Sequence, residues 1–138
     1  MIVADTGAVL ALLDRDEDNH PAVRKLYDED PDGWILPWAI LPEVDYLLAA
    51  HVGRKAREMF LADLADGAFV VDWGGDADLA AIGRIHGRYR SIQLGLVDAA
   101  VIATAERLKA DAIATLDLRH FGAVTISGKP RLLPRDRL

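Results

Sequence analysis

LGLVDAAVIA, residues 94–103, sets one carboxylate, Asp98, among nine apolar or small residues. At about 100° per residue on a helix, Asp98 falls opposite Arg107 and on the side of Val101, Ile102 and Ala105, so it faces inward. An ionised carboxylate in such surroundings costs several kcal/mol unless it is hydrogen-bonded, paired with a cation or bound to a metal; a buried salt bridge or a helix N-cap would satisfy it too. Three more acids stand at chemically telling positions. Asp5 follows the apolar triplet IVA, Asp117 follows AIAT, and Glu43 follows Pro42. Residues just past the carboxyl ends of parallel strands border the crevice where open α/β sheets place ligands, which suits Asp5 and Asp117. An N-cap of the helix starting at Gly7 accounts equally well for Asp5 taken alone. Pro42 suits the first helical position, and Glu43 then meets the positive end of the helix dipole. On that helix Glu43 shares a stripe with Tyr46, Leu47 and Ala50, whereas Asp45, about 200° around, is expected to point to water.

Four carboxylates in one pocket raise each other's pKa and cannot all stay ionised without cations. A hard divalent ion resolves the conflict: Mg²⁺ or Mn²⁺ takes oxygen ligands, keeps waters and engages substrate phosphate. The chemistry that follows is phosphodiester hydrolysis. One ion lowers the pKa of an attacking water, and a second about 3.5–4 Å away would stabilise the leaving oxygen.

The elements that must carry these side chains alternate along the chain. IVA at 2–4, WIL at 34–36, AFVV at 68–71, AIAT at 112–115 and VTI at 124–126 read as short strands. Between them fall the apolar turn GAVLALL and helical segments beginning near His20 and spanning 42–51, 54–65, 76–89 and 96–109. The βα alternation predicts an α/β fold with a short, mainly parallel sheet flanked by helices, in one domain over residues 1–138.

Composition narrows the chemistry further. The chain has no cysteine, which removes disulfides and thiolate metal sites and leaves oxygen or histidine as metal ligands. No basic leader precedes the first apolar stretch, and no apolar run reaches the roughly 18 residues of a membrane span, so a soluble, cytoplasmic protein is expected. The net charge of −6 opposes non-specific phosphate binding by the surface as a whole, so any nucleic-acid contact must be local. GRIHGRYR at 83–90 supplies the best local cluster, with Arg84, His86, Arg88 and Arg90, and Tyr89 or Trp38 as bases' stacking partners; an ordinary solvated helix face and core aromatics would look the same. Arg119 and His120 stand beside Asp117, within reach of the pocket rim, although a local hydrogen-bonding role beside Phe121 is the plainer expectation for His120.

Four blocks, IVADTGAVLALLD, LPEVDYLL, GLVDAAVIATAERL and TLDLRHF, occur in an order and spacing that resembles the PIN-domain ribonucleases, in particular the VapC toxins of bacterial toxin–antitoxin pairs. The resemblance spans nearly the whole chain and implies a PIN-like three-layer domain. Carried over residue by residue, the family's acidic quartet matches Asp5, Glu43, Asp98 and Asp117, and its supporting hydroxyls match Thr6 and Thr115. It further implies Mg²⁺- or Mn²⁺-dependent endonucleolytic cleavage of RNA, a cognate VapB-like antitoxin that blocks the site, and a homodimer. On this footing Asp5, Glu43 and Asp98 hold the catalytic ion, and Asp117 supports it or a second ion. Thr6 or Thr115 orients a carboxylate or a water, although a hydroxyl satisfying nearby backbone is the plainer role. RNA contacts are expected from Arg84, Arg88, Arg90 and Arg119. Tyr46, Leu47, Phe60 and Leu64 offer apolar surface to a dimer or antitoxin unless the core takes them.

Three rivals can be weighed on residues alone. A haloacid-dehalogenase-like phosphotransferase needs a second aspartate two residues after the first, and Gly7 stands there. A two-component receiver needs an acidic pair after the first strand and a lysine near the last, and neither is present. The remaining alternative is a non-catalytic PIN-like module that binds RNA or an antitoxin without cutting; a lost acid would mark it, and here all four are retained.

Overall fold

The structure is a computed structural model that describes residues 1–137. Five strands form one parallel sheet: β1 (Ile2–Ala4), β2 (Trp34–Pro37), β3 (Val70–Asp72), β4 (Ala112–Ala114) and β5 (Arg131–Leu133). Seven helices accompany them among the described residues: α1 (Thr6–Leu13), α2 (His20–Glu29), α3 (Leu41–His51), α4 (Arg54–Ala65), α5 (Asp76–Arg88), α6 (Leu96–Leu108) and α7 (Leu118–Phe121). The spatial order is β3-β2-β1-β4-β5, so the winding direction reverses between β1 and β4. Such a switch point opens a crevice outside the carboxyl ends of the two strands, because the connections leave toward opposite edges.

Burial follows from this layering. Val3 and Ala4, Leu36, and Ile113 in the middle strands are inaccessible, as short parallel strands covered on both faces must be. α6 packs on β1, β2 and α5, and from Ala99 to Ala105 it is buried throughout. Its small residues let the backbone approach the sheet closely, which fixes the helix that carries Asp98. Arg107, on the far side of α6 from Asp98, bonds Asp78 of α5 (2.9 Å) and Asp72 of β3, tying both elements to this helix.

The sequence reading needs correction at three places. The last strand is not VTI at 124–126 but Arg131–Leu133. Thr125 gives its backbone N–H to the Tyr89 hydroxyl (2.9 Å) and Lys129 turns back on Ile126, so that stretch is committed to a turn, with Gly128 at φ +83°. Leu132 and Leu133 pair instead with β4, a long-range choice that two leucines between prolines and arginines do not advertise. β3 begins two residues later than read, because Ala68 donates to Asp63 O in closing α4. Asp45 is only partly in water, and Glu43 is the more exposed of the two: α4 packs against α3 and brings Arg57 Nε to 3.0 Å from the Asp45 carboxylate.

Candidate active site

Asp5, Glu43, Asp98 and Asp117 all line one pocket of about 390 Å³, together with Thr6, Gly7, Leu10, Leu47 and Leu116. Each arrives from a different element. Asp5 leaves the end of β1 and its N–H bonds Ala114 O of β4 (2.9 Å), so it sits at the switch point itself. Glu43 and Asp98 lie in the first turns of α3 and α6, and Asp117 precedes α7. The positive ends of α1, α3 and α6 thus offset part of the negative charge gathered here.

Asp5 is 5 % exposed and stands at the N-cap position of α1, yet its side chain makes no cap. Its Oδ2 instead accepts the Thr115 hydroxyl (2.7 Å), and the same Thr115 Oγ1 accepts the N–H of Asp117 (3.0 Å). One buried threonine therefore fixes the two strand-end acids relative to each other. Burial pushes Asp5 up from 3.8 to about 6; the Thr115 bond opposes this and the Asp98 charge adds to it. Burial, then the nearby Asp117 charge, raises Asp98 as well. Gly95, not Asp98, occupies the cap of α6, and the ion-pair partner of Asp98 among the described residues is His120, whose Nδ1 stands 3.9 Å away and is charged only when protonated.

His120 is the site residue that the sequence reading placed only near the rim. Its Nδ1 lies 2.7 Å from Asp117 Oδ2 and its backbone N–H donates to Oδ1 (3.0 Å), so a single residue engages both oxygens. Burial pushes Asp117 up, but these bonds outweigh it and hold the carboxyl below its usual range, while the Asp117 bond raises His120. Asp98, Asp117 and His120 each offer a ligand atom within one small cluster. The D-x-x-H spacing of one helical turn was the available signal.

Thr6 is 4 % exposed, lines the pocket and leaves its Oγ1 without a hydrogen-bond partner. A buried hydroxyl carries a desolvation cost unless something pairs with it. Four carboxylates, an orphaned hydroxyl and no sulfur make a hard oxygen donor set, which fits a divalent cation of the Mg²⁺ or Mn²⁺ kind. Outside the pocket, Arg84, Arg88, Arg90 and Arg119 are exposed and in no ion pair among the described residues. Arg119 adjoins the site; the other three lie on α5 and the turn after it. Tyr89 and Trp38 pack half-buried against the core, Trp34 is fully buried, and exposed His86 bonds Leu94 O through Nδ1 (2.6 Å). Phe60 is buried, whereas Tyr46 is 67 % exposed.

A parallel sheet whose switch point gathers acids from four elements defines a class of α/β domains with an acidic crevice, and comparison with known proteins gives the family. The PIN domain family matches residues 2–125, and this chain belongs to that family. It is 35% identical over 130 residues to Ribonuclease VapC26 of Mycobacterium tuberculosis (strain ATCC 25618 / H37Rv), covering 94% of this chain and 96% of that protein. Two solved structures share the fold at 19% identity. One is Mycobacterium tuberculosis VapC20, described as a Sarcin-Ricin loop cleaving toxin (TM-score 0.77, 90% of this chain and 97% of that one). The other is FitAcB from Neisseria gonorrhoeae (TM-score 0.66, covering both chains in full).

Proposed function

We propose that residues 1–138 act as one PIN unit that hydrolyses internal phosphodiester bonds of RNA with Mg²⁺ or Mn²⁺, as the toxin of a toxin–antitoxin pair. The observation that carries this is the convergence of Asp5, Glu43, Asp98 and Asp117 on one pocket at the switch point. The relative named a ribonuclease, similar over nearly its whole length, supports RNA as substrate.

Asp5, Glu43 and Asp98 would hold the cation, with Asp117 supporting. When bound, the cation supplies charge neutralisation for the acids and the scissile phosphate and makes water a better nucleophile at neutral pH. The chain's own residues do the rest. Thr115 locks Asp5 and the backbone of Asp117 in one arrangement, so the acids need no reorganisation when substrate arrives. His120 steadies Asp117, and when protonated its ring lowers the mutual repulsion of the acids. Leu10, Leu47 and Leu116 limit water around the pocket and strengthen each polar contact within it.

A VapB-like antitoxin is the partner this reading implies, docking a basic side chain at the acidic pocket and apolar side chains nearby; a homodimer is the expected assembly. Exposed Tyr46, Met59 and Trp73 leave apolar surface for such contacts. The deciding experiment incubates purified protein with total cellular RNA and Mg²⁺ or Mn²⁺, beside a chelator control and Asp98→Asn. Discrete fragments that vanish in both controls are expected. Intact RNA in the presence of bound Mn²⁺ would return the chain to the non-cutting, PIN-like binding module.

A further inference from the structure

A second polar pocket is linked to the acidic one through the contact of His120 with Asp117. Ser91, Ile92 and Gln93, from the turn between α5 and α6, and Arg119 and His120, from α7, line a cavity of about 280 Å³. His120 connects them: it borders the second cavity, while its Nδ1 reaches Asp117 (2.7 Å) and stands 3.9 Å from Asp98, both of which line the first. We propose that this cavity is a nucleotide subsite in which Gln93 reads the base next to the scissile phosphate and Arg119 holds a neighbouring phosphate. The subsite presupposes the ribonuclease activity proposed above and supplies its sequence preference.

The lining matches the three parts of a nucleotide. Arg119 offers a fixed cation for phosphate. Gln93 offers a donor and an acceptor on one planar group, which suits the edge of a base, and Ser91 adds a hydroxyl that serves as either. Ile92 gives an apolar surface for the base face. Charge points the same way. On a chain of net −6, Arg119 and the nearby Arg88 and Arg90, like several other surface cations, stand in no ion pair among the described residues, whereas Arg24, Arg57, Arg107, Arg135 and Arg137 do. A polyanion approaching four carboxylates needs unpaired cations at the rim.

The turn is also built to hold its residues still. His86 Nδ1 bonds Leu94 O at one end, and Tyr89 accepts the Thr125 N–H at the other. Between them Gln93 is left-handed (φ 56°), its N–H donating to Arg90 O. Glycine or asparagine takes that conformation at less cost, so a glutamine there puts a long amide on a strained, well-anchored backbone beside the cavity.

The test cleaves a randomised single-stranded RNA pool with the full chain and Mn²⁺, sequences the new ends, and compares wild type with Gln93→Ala, Gln93→Asn, Arg119→Gln and the distant Arg54→Ala. Gln93→Asn suits the left-handed backbone and shortens the side chain, which separates base reading from loss of the turn. Both Gln93 variants should reduce the preference at one position beside the cut from about tenfold to under about twofold. Arg119→Gln should raise KM about fivefold for every sequence without altering that preference, and should lower the salt dependence of binding. Arg54→Ala should change neither. A wild-type cut with no preference at the adjacent base, or a profile unchanged by both Gln93 variants, overturns the subsite while leaving the ribonuclease intact. If wild type cuts nothing, the proposed activity fails instead, and anisotropy with the same pool in chelator decides: weaker binding by Arg119→Gln than by Arg54→Ala supports a nucleotide site, and equal binding overturns it.

Discussion

Replacing Asp5 by asparagine should make the metal-free protein more stable, and by an amount that depends on pH. Asp5 is buried, and its carboxyl is pushed from 3.8 to about 6 in the fold. A folded-state pKa above the unfolded one means that the native state binds more protons between those values, so wild-type stability falls as pH rises through about 4 to 6 and stays low above. At about 1.4 kcal/mol per pH unit, ionised Asp5 costs the metal-free fold about 3 kcal/mol at pH 8. The asparagine side chain has no charge to desolvate, and its carbonyl can still accept the Thr115 hydroxyl that now bonds Asp5 at 2.7 Å. Urea unfolding in chelator at pH 3.5 and pH 8 measures this directly. Asp5→Asn should match wild type at the lower pH and exceed it at the higher one, moving the midpoint by about 1.5 M for an m-value near 2 kcal/mol/M. Added Mn²⁺ should reverse the order, because only wild type gains a ligand that binds the native state. A variant less stable than wild type at pH 8 without metal, or a difference that does not change with pH, would refute the assignment of Asp5 as a charge held against its solvation.

Other perturbations probe separate parts of the site. Thr115→Val removes the hydroxyl bonded both to Asp5 and to the Asp117 N–H; it should cost about 1–3 kcal/mol in urea unfolding and weaken Mn²⁺ binding in calorimetry, and an unchanged Mn²⁺ isotherm would count against the positioning role. Glu43→Gln should lower Mn²⁺ affinity at least about tenfold, whereas Asp45→Asn, two residues away but paired with Arg57, should leave it unaltered; equal losses would deny Glu43 a ligand role. Arg107→Met strands the buried Asp78 and should destabilise by about 2–4 kcal/mol while keeping Mn²⁺ affinity, since Arg107 lies on the other side of α6 from the pocket.

Much of the site was legible in sequence because local patterns carry it. An aspartate directly after a short apolar run reads as a strand end, which gave Asp5; Asp117 follows AIAT with Leu116 between them, three residues past β4. A lone acid on an otherwise apolar helical face announced Asp98, and a glutamate after an N-terminal proline announced Glu43. Most of the strand and helix blocks fall within a residue or two of their reading, since apolar period and turn residues are properties of neighbours in the chain.

What the sequence could not contain was distance. β5 was misplaced because its two leucines become a strand only through pairing with β4, and Asp45 was sent to water because Arg57 belongs to another helix. The bond from Thr115 to Asp5 joins residues 110 apart, and the burial that lifts Asp5 comes from the sheet and helices around it. Side-chain type and period determined which acids were available and the faces they occupy. Only the tertiary structure decided that they share one pocket, which partners fix Asp5 and Asp117, and that His120 joins Asp117 to a second cavity, because electrostatics and hydrogen bonding act over ångströms of space and are blind to separation along the chain.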